Sequence, residues 1–149
     1  LLVCANSESL PIKDNCADGM VANAILEHLP NEKMAIESIT KILKKGAALM
    51  LAMPLSFRYI FPLLLPINLI HDRRIGHLRR YNREEILNKF SWFRENTTYY
   101  TGHLVKVFCL FMFLYTKISW WNELGEMLDK KFSTVSYGAS NIVSILRKK

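Results

Sequence analysis

The chain has 149 residues, half of them hydrophobic, so it can form one domain with a buried core and is not a disordered protein. Its formal net charge of +7 favours an anionic partner, such as a phosphate, an acidic lipid or a nucleic acid. Its three widely spaced cysteines include no CxxC pair, which argues against a disulfide framework or a zinc site and predicts reduced thiols in a cytoplasmic protein.

The first part of the chain has the pattern of an α/β fold. Short apolar runs predict buried strands at residues 1–5 (LLVCA), 19–24 (GMVANA) and 47–54 (AALMLAMP). Between the second and third runs, Ile36, Ile39 and Leu43 share one face of a predicted helix. Asn31 stands where a capping side chain would begin this helix, and Gly46 stands where a glycine would end it. Strand, helix and strand in this order predict a parallel arrangement.

The regular pattern lapses in residues 55–81, where prolines interrupt an apolar stretch that is followed by an arginine cluster. The sequence NREE at residues 82–85 then has the spacing of a capping box, and it predicts a helix whose apolar face holds Ile86, Leu87 and Phe90. Two stretches rich in β-branched and aromatic residues predict further strands, at residues 92–100 and 141–146.

Between these last two strands, residues 103–131 are predicted to be helical. The middle of this piece, residues 107–115, is apolar on every side, but at 1.5 Å per residue it covers less than half of a hydrocarbon core of about 30 Å. We therefore expect a buried helix or an interfacial hairpin with Trp120 and Trp121 at headgroup level, rather than a membrane-spanning helix.

Four motifs in this order resemble the class I methyltransferases that use S-adenosylmethionine (SAM), in the small-molecule group called type 11. The motifs are NSESLPIKDNCADGMV at residues 6–21, LEHL at 26–29, LKKGA at 43–47 and DRRIGHLRRY at 72–81. The resemblance implies a partial Rossmann-like sheet, strands three to seven of the family, with a helical insertion before the last strand. It also implies a truncated domain over residues 1–149, because the family's glycine-rich loop and about two βα units of ~30 residues each would precede it. Such a fragment is expected to be inactive alone.

The resemblance implies SAM as cofactor and a set of residues that bind it: Asn6, Ser7, Asn23 and Ala24. Asn6 stands where the family usually has an aspartate that accepts a hydrogen bond from the adenine amino group. An asparagine can still accept through its carbonyl oxygen, but without charge. Asn23 and Ala24 end the second predicted strand, and the resemblance places them against the methionine part of SAM.

Glu27 and His28 follow the same strand end, where the resemblance places the methyl group to be transferred. His28 is a candidate general base, because a histidine titrates near neutral pH, and His77 is a rival candidate. Glu27 is a candidate substrate-binding residue. The alternative is that Glu27 and His28 only shape the loop. No HxxxH, HExxH or CxxC spacing supplies further ligands, so no metal site is expected.

Residues 55–81 fall where the resembling enzymes place a lid over the substrate. Arg80 and Tyr81, with Arg79 and His77, could bind a carboxylate or phosphate of the acceptor. The alternative is that the arginines form a solvated face or pair with the glutamates of the following helix. The apolar run before them suggests contact with an anionic membrane surface; its alternative is a lid folded onto its own active site.

The sequence thus predicts a cytoplasmic methyltransferase fragment, with peripheral membrane contact left open, that uses SAM to methylate a small-molecule or lipid-linked acceptor. The alternative is a non-catalytic remnant or membrane-surface binding module that has lost SAM binding. Nucleic acid is not expected as a partner, because no strand interleaves aromatic and basic residues and no recognition-helix pattern is present.

Overall fold

The computed structural model describes residues 4–149, whose strands form one four-stranded sheet. The strands are β1 (Ala17–Asn23), β2 (Leu43–Pro54), β3 (Phe93–Thr101) and β4 (Asn141–Lys148). They lie in the order β1-β2-β4-β3, with β1 parallel to β2 and with β4 antiparallel to both of its neighbours. The α/β fold class is therefore confirmed, and the four strands correspond to the predictions made for residues 19–24, 47–54, 92–100 and 141–146.

The described residues also form five α-helices: α1 (Glu32–Ile42), α2 (Leu65–Ile75), α3 (Arg83–Lys89), α4 (Leu104–Thr116) and α5 (Trp120–Lys131). The hydrophobic core lies on one face of the sheet, where α1 and α3 cover the strands. Alternate residues of the central strands point into it, together with one apolar face of each helix; this set includes Leu49, Leu51, Ile142, Leu146, Ala35, Ile39, Ile86 and Phe90. On the other face of the sheet, Asn23, Met50 and Ala52 line a cleft together with His71 and Ile75 of α2.

The predicted start of α3 is confirmed in detail. The Asn82 side chain accepts a hydrogen bond from the backbone N–H of Glu85, and the Glu85 carboxylate accepts one from the backbone N–H of Asn82. This reciprocal pair is a capping box, which satisfies two backbone donors that the helix leaves unpaired. The signal is local in sequence, so the sequence alone reveals it.

The predicted start of α1 at Asn31 is confirmed in position, but its capping bond is absent, and the predicted end of the helix is wrong. The helix ends at Ile42, and residues 43–46 already belong to β2, because Leu43 pairs with Ala17 of β1. Strand pairing thus replaces the last predicted helical turn, and Gly46 (φ +79°) lies within the strand. At the other end the Asn31 side chain makes no capping bond; its backbone N–H instead donates to the Glu8 carboxylate at 2.9 Å.

The strand predicted at residues 1–5 lies mainly outside the described residues. Within the described part, Cys4 and Ala5 belong to no strand.

The helical insertion between β3 and β4 is a hairpin of two helices. Helices α4 and α5 pack against each other so closely that a Cβ atom on Gly125 would lie 2.9 Å from the Cβ atom of Cys109. The hairpin leaves large apolar side chains exposed, including Phe108, Phe111, Tyr115 and Trp120. No helix in the described part of the chain has both the length and the apolar character that crossing a membrane requires.

A buried carboxylate ties the hairpin to the end of β3. Asp129 accepts hydrogen bonds from the backbone N–H groups of Gly102 (3.1 Å) and His103 (2.9 Å), and it lies 2.7 Å from His103 Nδ1. His103 Nε2 lies 2.8 Å from the carbonyl oxygen of Val135. The His103 ring therefore links Asp129 of α5 to the segment that follows this helix.

Burial acts to raise the pKa of Asp129, but the hydrogen bonds from His103 and Gly102 and the nearby Lys106 together outweigh it, so the pKa is lowered from 3.8. A carboxyl whose pKa is lower in the folded state stabilises the fold above its unfolded pKa, and this contribution disappears as the pH falls through the folded value.

We therefore expect Asp129→Asn to reduce the free energy of unfolding at pH 7 by about 1–3 kcal/mol, the usual cost of weakening a buried hydrogen-bonded group. The difference between variant and wild type should shrink as the pH falls below about 4. Urea unfolding at a series of pH values measures both effects. Glu123→Gln, an exposed position on the same helix, is the control. A deficit that stays constant down to pH 2 would contradict the assigned role of the Asp129 charge.

Candidate active site

An open cleft of about 510 Å³ lies at the carboxyl ends of β1 and β2, on the face of the sheet opposite the core. Asn23 and Ala24 line it where β1 ends, and Pro54 lines it where β2 ends. In open α/β sheets, ligands bind beyond the carboxyl ends of the parallel strands. Ala24 has a left-handed backbone (φ +52°), which is costly for a residue with a side chain and is commonly kept at functional sites.

The turn that follows β1 buries Glu27 completely. Neither of its carboxylate oxygens has a hydrogen-bond partner in the described protein. Its backbone oxygen accepts a hydrogen bond from the N–H of Leu78 at 2.8 Å, which fixes the end of the predicted lid against this turn. Burying a carboxylate without a partner costs several kcal/mol. Glu27 therefore lowers the stability of the fold, which indicates a role other than structural support.

His77 reaches the cleft from the other side, and Asp72 orients it. His77 Nδ1 lies 2.8 Å from Asp72 Oδ1, and because an ionised carboxylate only accepts, this nitrogen carries the proton. His77 Nε2 then has a free lone pair, and it lies 3.7 Å from Glu27 Oε1. The His28 ring lies 4.8 Å from the His77 ring, between centroids. The fold thus assembles Glu27, His28 and His77 in one corner of the cleft.

Asp72 makes several hydrogen bonds within residues 55–81, the segment predicted to be a lid. Its carboxylate accepts hydrogen bonds from Arg80 Nε (2.6 Å) and Nη2 (2.8 Å) in addition to His77. Arg80 also donates to the carbonyl oxygen of Leu55 and to the side chain of Asn68, so helix α2 is joined to the end of β2. Burial acts to raise the pKa of Asp72, but its hydrogen bonds with Arg80 and His77 outweigh burial and leave the pKa lowered.

The end of α2 explains why Asp72 and His77 meet. Gly76 takes a left-handed conformation (φ +75°), and the N–H groups of Gly76 and His77 both donate to the carbonyl oxygen of Asp72. This is the usual way in which a glycine ends a helix and reverses the chain. The reversal brings the His77 ring back beside the Asp72 carboxylate.

The predicted site residues fall into two groups. Asn23, Ala24, Glu27, His28 and His77 line the cleft; the others, Asn6, Ser7, Arg80 and Tyr81, do not. The roles predicted for the first group stay predictions.

Of the second group, Asn6 lies in an exposed turn, where its side-chain oxygen accepts a hydrogen bond from the backbone N–H of Glu8. Ser7 is the next residue of this turn and is partly buried. Tyr81 is buried, and its hydroxyl donates to Glu32 at 2.7 Å. Burial and the Glu32 carboxylate raise the pKa of Tyr81, so its hydroxyl stays protonated.

The alternative predicted for the arginines is wrong for Arg79 and Arg80. Both are partly buried, and neither pairs with the glutamates of α3. Arg79 donates to the carbonyl oxygens of Leu29 and Pro30, and Arg80 is held by Asp72. Arg80 and Tyr81 are absent from the walls of the cleft, and the contact to the acceptor predicted for them stays a prediction. Their observed hydrogen bonds stabilise residues 55–81, the predicted lid.

Comparison with known proteins agrees with this architecture. Residues 1–51 match the methyltransferase domain family. The geranyl diphosphate C-methyltransferase of Streptomyces coelicolor A3(2), solved with Mg²⁺, geranyl diphosphate and S-adenosyl-L-homocysteine, superposes with a TM-score of 0.63 at 10% identity, over 97% of this chain and 52% of that one. The resemblance to the class I methyltransferases is confirmed. At this identity the likeness shows the fold alone.

Two further solved structures share the fold. The MccD protein superposes with a TM-score of 0.60 at 16% identity, over 97% of this chain and 66% of that one. The [4+2]-cyclase SpnF superposes with a TM-score of 0.57 at 17% identity, over 98% of this chain and 56% of that one. The chain thus spans between half and two thirds of these proteins. Among curated proteins, none matches the chain in sequence.

We expect Asp72→Asn to destabilise the protein by about 3 kcal/mol, because it leaves the buried Arg80 guanidinium without its counter-charge. Guanidinium chloride unfolding measures this difference. Asp18→Asn is a matched control, because the Asp18 side chain is 86% exposed and its ion pair with Lys44 is solvated, so little change is expected. Equal, small effects of the two substitutions would contradict the role given to Asp72.

Proposed function

We propose that this domain supports SAM-dependent methyl transfer to a small acceptor, or to a lipid-linked one, whose reactive group enters the cleft. The observation that carries the proposal is the His77 imidazole, oriented by Asp72, facing the cleft where the parallel strands end. A positioned histidine with a free Nε2 lone pair is what a general base requires. The match of residues 1–51 to the methyltransferase domain family gives independent support.

The residues of the cleft fit one end of the cofactor. The Asn23 side chain offers both a donor and an acceptor at the end of β1, and Ala24, with its left-handed backbone, lines the cleft beside it. When bound, SAM supplies a methyl group on a positively charged sulfur; transfer breaks the S–CH₃ bond, leaves the electron pair on sulfur and forms the bond to the acceptor. Asn23 and Ala24 would hold the methionine part, and the cleft would exclude water from the reacting atoms.

His77 is the better of the two predicted bases. The proton that a hydroxyl acceptor loses passes to His77 Nε2, and the resulting imidazolium is stabilised by Asp72 at Nδ1. His28 Nδ1 lies 3.3 Å from the carbonyl oxygen of Gly76, and no carboxylate of the described residues is hydrogen-bonded to the His28 ring. The geometry therefore favours His77 as the base, whereas His28 is a neighbouring residue in the wall of the same cleft.

The walls of the cleft favour an acceptor with an apolar body. Met50, Met53, Val143 and Ile75 line it along with the polar corner. Apolar walls with a few convergent polar groups are typical of small-molecule sites. The geranyl diphosphate C-methyltransferase, which shares the fold, is solved with an acceptor that has an apolar chain and an anionic end, and an acceptor of this general type is compatible with the cleft here.

The first test is calorimetric titration of S-adenosyl-L-homocysteine into the protein expressed from its complete reading frame. We expect binding that Asn23→Leu weakens about tenfold or more, because two hydrogen-bonding groups at the cofactor end are lost. His77→Gln should leave this affinity within about threefold, since in the proposal the base contacts the acceptor and not the cofactor. Release of S-adenosylhomocysteine from SAM, over a panel of hydroxylated apolar acceptors, then tests the base.

For an acceptor found in this way, His77→Gln should lower kcat by about 10²–10⁴-fold with little change in KM, the range expected for loss of a general base. His71→Gln is the matched control, since His71 lines the same cleft but lies outside the polar corner. A folded protein that does not bind S-adenosylhomocysteine would overturn the proposal and favour the non-catalytic remnant. The [4+2]-cyclase in the same fold shows that the architecture also serves other chemistry.

A lipid-linked acceptor is favoured by one further feature, a set of exposed apolar residues in α2 and just before it. Leu63, Ile67 and Ile70 are exposed at helical spacing, and Arg73 and Arg74 follow them, also exposed. Apolar residues next to arginines suit the surface of an anionic membrane.

Co-sedimentation with phosphatidylglycerol vesicles should therefore exceed co-sedimentation with phosphatidylcholine vesicles, and Ile67→Ser with Ile70→Ser should reduce it. Phe111→Ser with Tyr115→Ser, on the exposed face of the hairpin, is the matched control. Equal binding to both vesicle types, or a loss seen only with the hairpin control, would contradict a lid-mediated membrane contact.

A further inference from the structure

The buried carboxylate of Glu27 calls for a partner that the protein does not provide. Among the buried side chains of residues 4–149, its two oxygens are the atoms left without a hydrogen bond. Native structures hydrogen-bond nearly all buried polar atoms, and exceptions call for an explanation such as a bound ion. The Glu27 side chain is only 1% exposed, yet Glu27 lines the cleft, so its oxygens can reach a small ligand there.

The neighbours of Glu27 are the types of residue that bind metals. One carboxylate oxygen of Glu27 and one ring nitrogen each of His28 and His77 lie within 4.8 Å of one another. Ligand atoms bonded to one cation at about 2.0–2.2 Å are some 3–4 Å apart, so small side-chain rotations bring this set to bonding distance. Both histidines belong to short segments whose backbone is fixed by hydrogen bonds to neighbouring strands and turns.

Each histidine also has the hydrogen bond that orients a metal ligand. His77 Nδ1 donates to Asp72, which leaves Nε2 free, and the Asp72 carboxylate is held in turn by Arg80. His28 Nδ1 lies 3.3 Å from the Gly76 carbonyl oxygen, and that contact again leaves Nε2 free. Metal-binding histidines commonly donate their other N–H to a carboxylate or a backbone carbonyl, which fixes the ring and its tautomer. Both kinds of support are present here.

We propose that Glu27, His28 and His77 bind one divalent transition-metal cation, with Asp72 positioning His77. Two imidazoles and one carboxylate favour Zn²⁺ and similar cations over Mg²⁺, which prefers oxygen ligands. Three protein ligands leave coordination positions open toward the cleft. The sequence argument against a metal site counted only ligands spaced within one segment, whereas His77 comes from the end of the lid.

A role for this cation in catalysis rests on the proposed function, but its binding does not. A cation on His77 Nε2 occupies the lone pair that would otherwise accept the acceptor's proton. A cation held by Glu27, His28 and His77 would act as a Lewis acid: it would lower the pKa of an acceptor hydroxyl that binds it, and the proton would be released to solvent at the open side of the cleft. The metal-bound form of the site would thus activate the acceptor by a different route from the metal-free form.

The test uses the metal alone, in the absence of SAM. The chelator-treated protein is titrated with Zn²⁺ by calorimetry and with Co²⁺ by visible absorption, which reports the coordination geometry. Cys4 and Cys16 are exposed thiols that could bind either metal, so the titrations use a Cys4→Ser, Cys16→Ser background. We expect one equivalent to bind, and Glu27→Gln and His77→Gln each to weaken binding by about tenfold or more.

His71→Gln is again the matched control, because its ring lies 6.0 Å from the His77 ring and it is not one of the three ligands. Its metal affinity should equal that of the background protein. Undiminished affinity in Glu27→Gln, or no binding by the folded background protein, would overturn the proposal.

Thermal unfolding separates a metal ligand from a merely buried side chain. Glu27→Gln replaces a buried carboxyl group that has no hydrogen-bond partner in the described protein with a neutral side chain, so the metal-free variant should melt at a higher temperature than the metal-free background protein. Only the background protein should gain stability when Zn²⁺ is added, since only a ligand that binds the folded state raises its Tm. If Zn²⁺ raises the Tm of the variant equally, Glu27 is no ligand. A protein that binds Zn²⁺ but not S-adenosylhomocysteine would keep this inference and overturn the proposed function.

Discussion

The carboxylate of Asp72 is the contact on which the candidate site depends. It binds Arg80 through two nitrogens and His77 through one, and Arg80 in turn holds the end of β2. One side chain therefore fixes both the position of the lid relative to the sheet and the orientation of the histidine that faces the cleft. Such an arrangement is stable because the guanidinium offsets the desolvation of the carboxylate, so neither charge is buried alone.

Glu27 is the opposite case, since it is buried as deeply as any residue of the core but has no counter-charge in hydrogen-bonding contact. Its nearest basic atom is His77 Nε2, at a distance too long for a hydrogen bond. The two buried carboxylates thus differ. Asp72 is fully hydrogen-bonded and supports the structure, whereas Glu27 has no hydrogen-bond partner among the described residues, which is the basis of the proposal that it binds a ligand. Stability alone would favour a neutral side chain at position 27.

The sequence predicts those features whose causes are close together along the chain. The capping box of Asn82 and Glu85 needs only a spacing of three, and the apolar runs of the strands need only continuity. The end of α1 could not be predicted from local sequence, because it is set by the pairing of Leu43 with Ala17, which belongs to another strand. Local helix signals are weak, and tertiary pairing overrides them.

The same limit applies to the site. Glu27 and His28 stand out in sequence because they follow an apolar strand, but the orphaned state of the Glu27 carboxylate appears only in three dimensions. Asp72 was missed, although it begins the DRRIGHLRRY motif and precedes a glycine that reverses the chain. That glycine was the available signal: a helix that ends at Gly76 returns His77 toward the preceding turn. The sequence also does not show that Arg80 and Tyr81 are hydrogen-bonded to Asp72 and Glu32.

The fold of this protein does not by itself determine which reaction it supports. Proteins of 10–17% identity share its architecture, and they include both a C-methyltransferase and a cyclase. A shared fold does not determine the reaction, which depends on the side chains of the site. In this protein the polar corner of the cleft holds Glu27, whose carboxylate has no hydrogen-bond partner among the described residues, and the two histidines His28 and His77, beside apolar walls.

The placement of the helical hairpin bears on how such a domain can diversify. Its chain leaves the sheet at Thr101 and returns at Asn141, and these two residues are partners in the same pair of strands. Entry and exit therefore lie side by side, as they would for a tight turn, and Asp129 fastens the hairpin at that point. Segments inserted at such a position can lengthen, shorten or be exchanged without altering strand register. Because Thr101 and Asn141 also line the cleft, each exchange would reshape one rim of the site while leaving its polar corner intact.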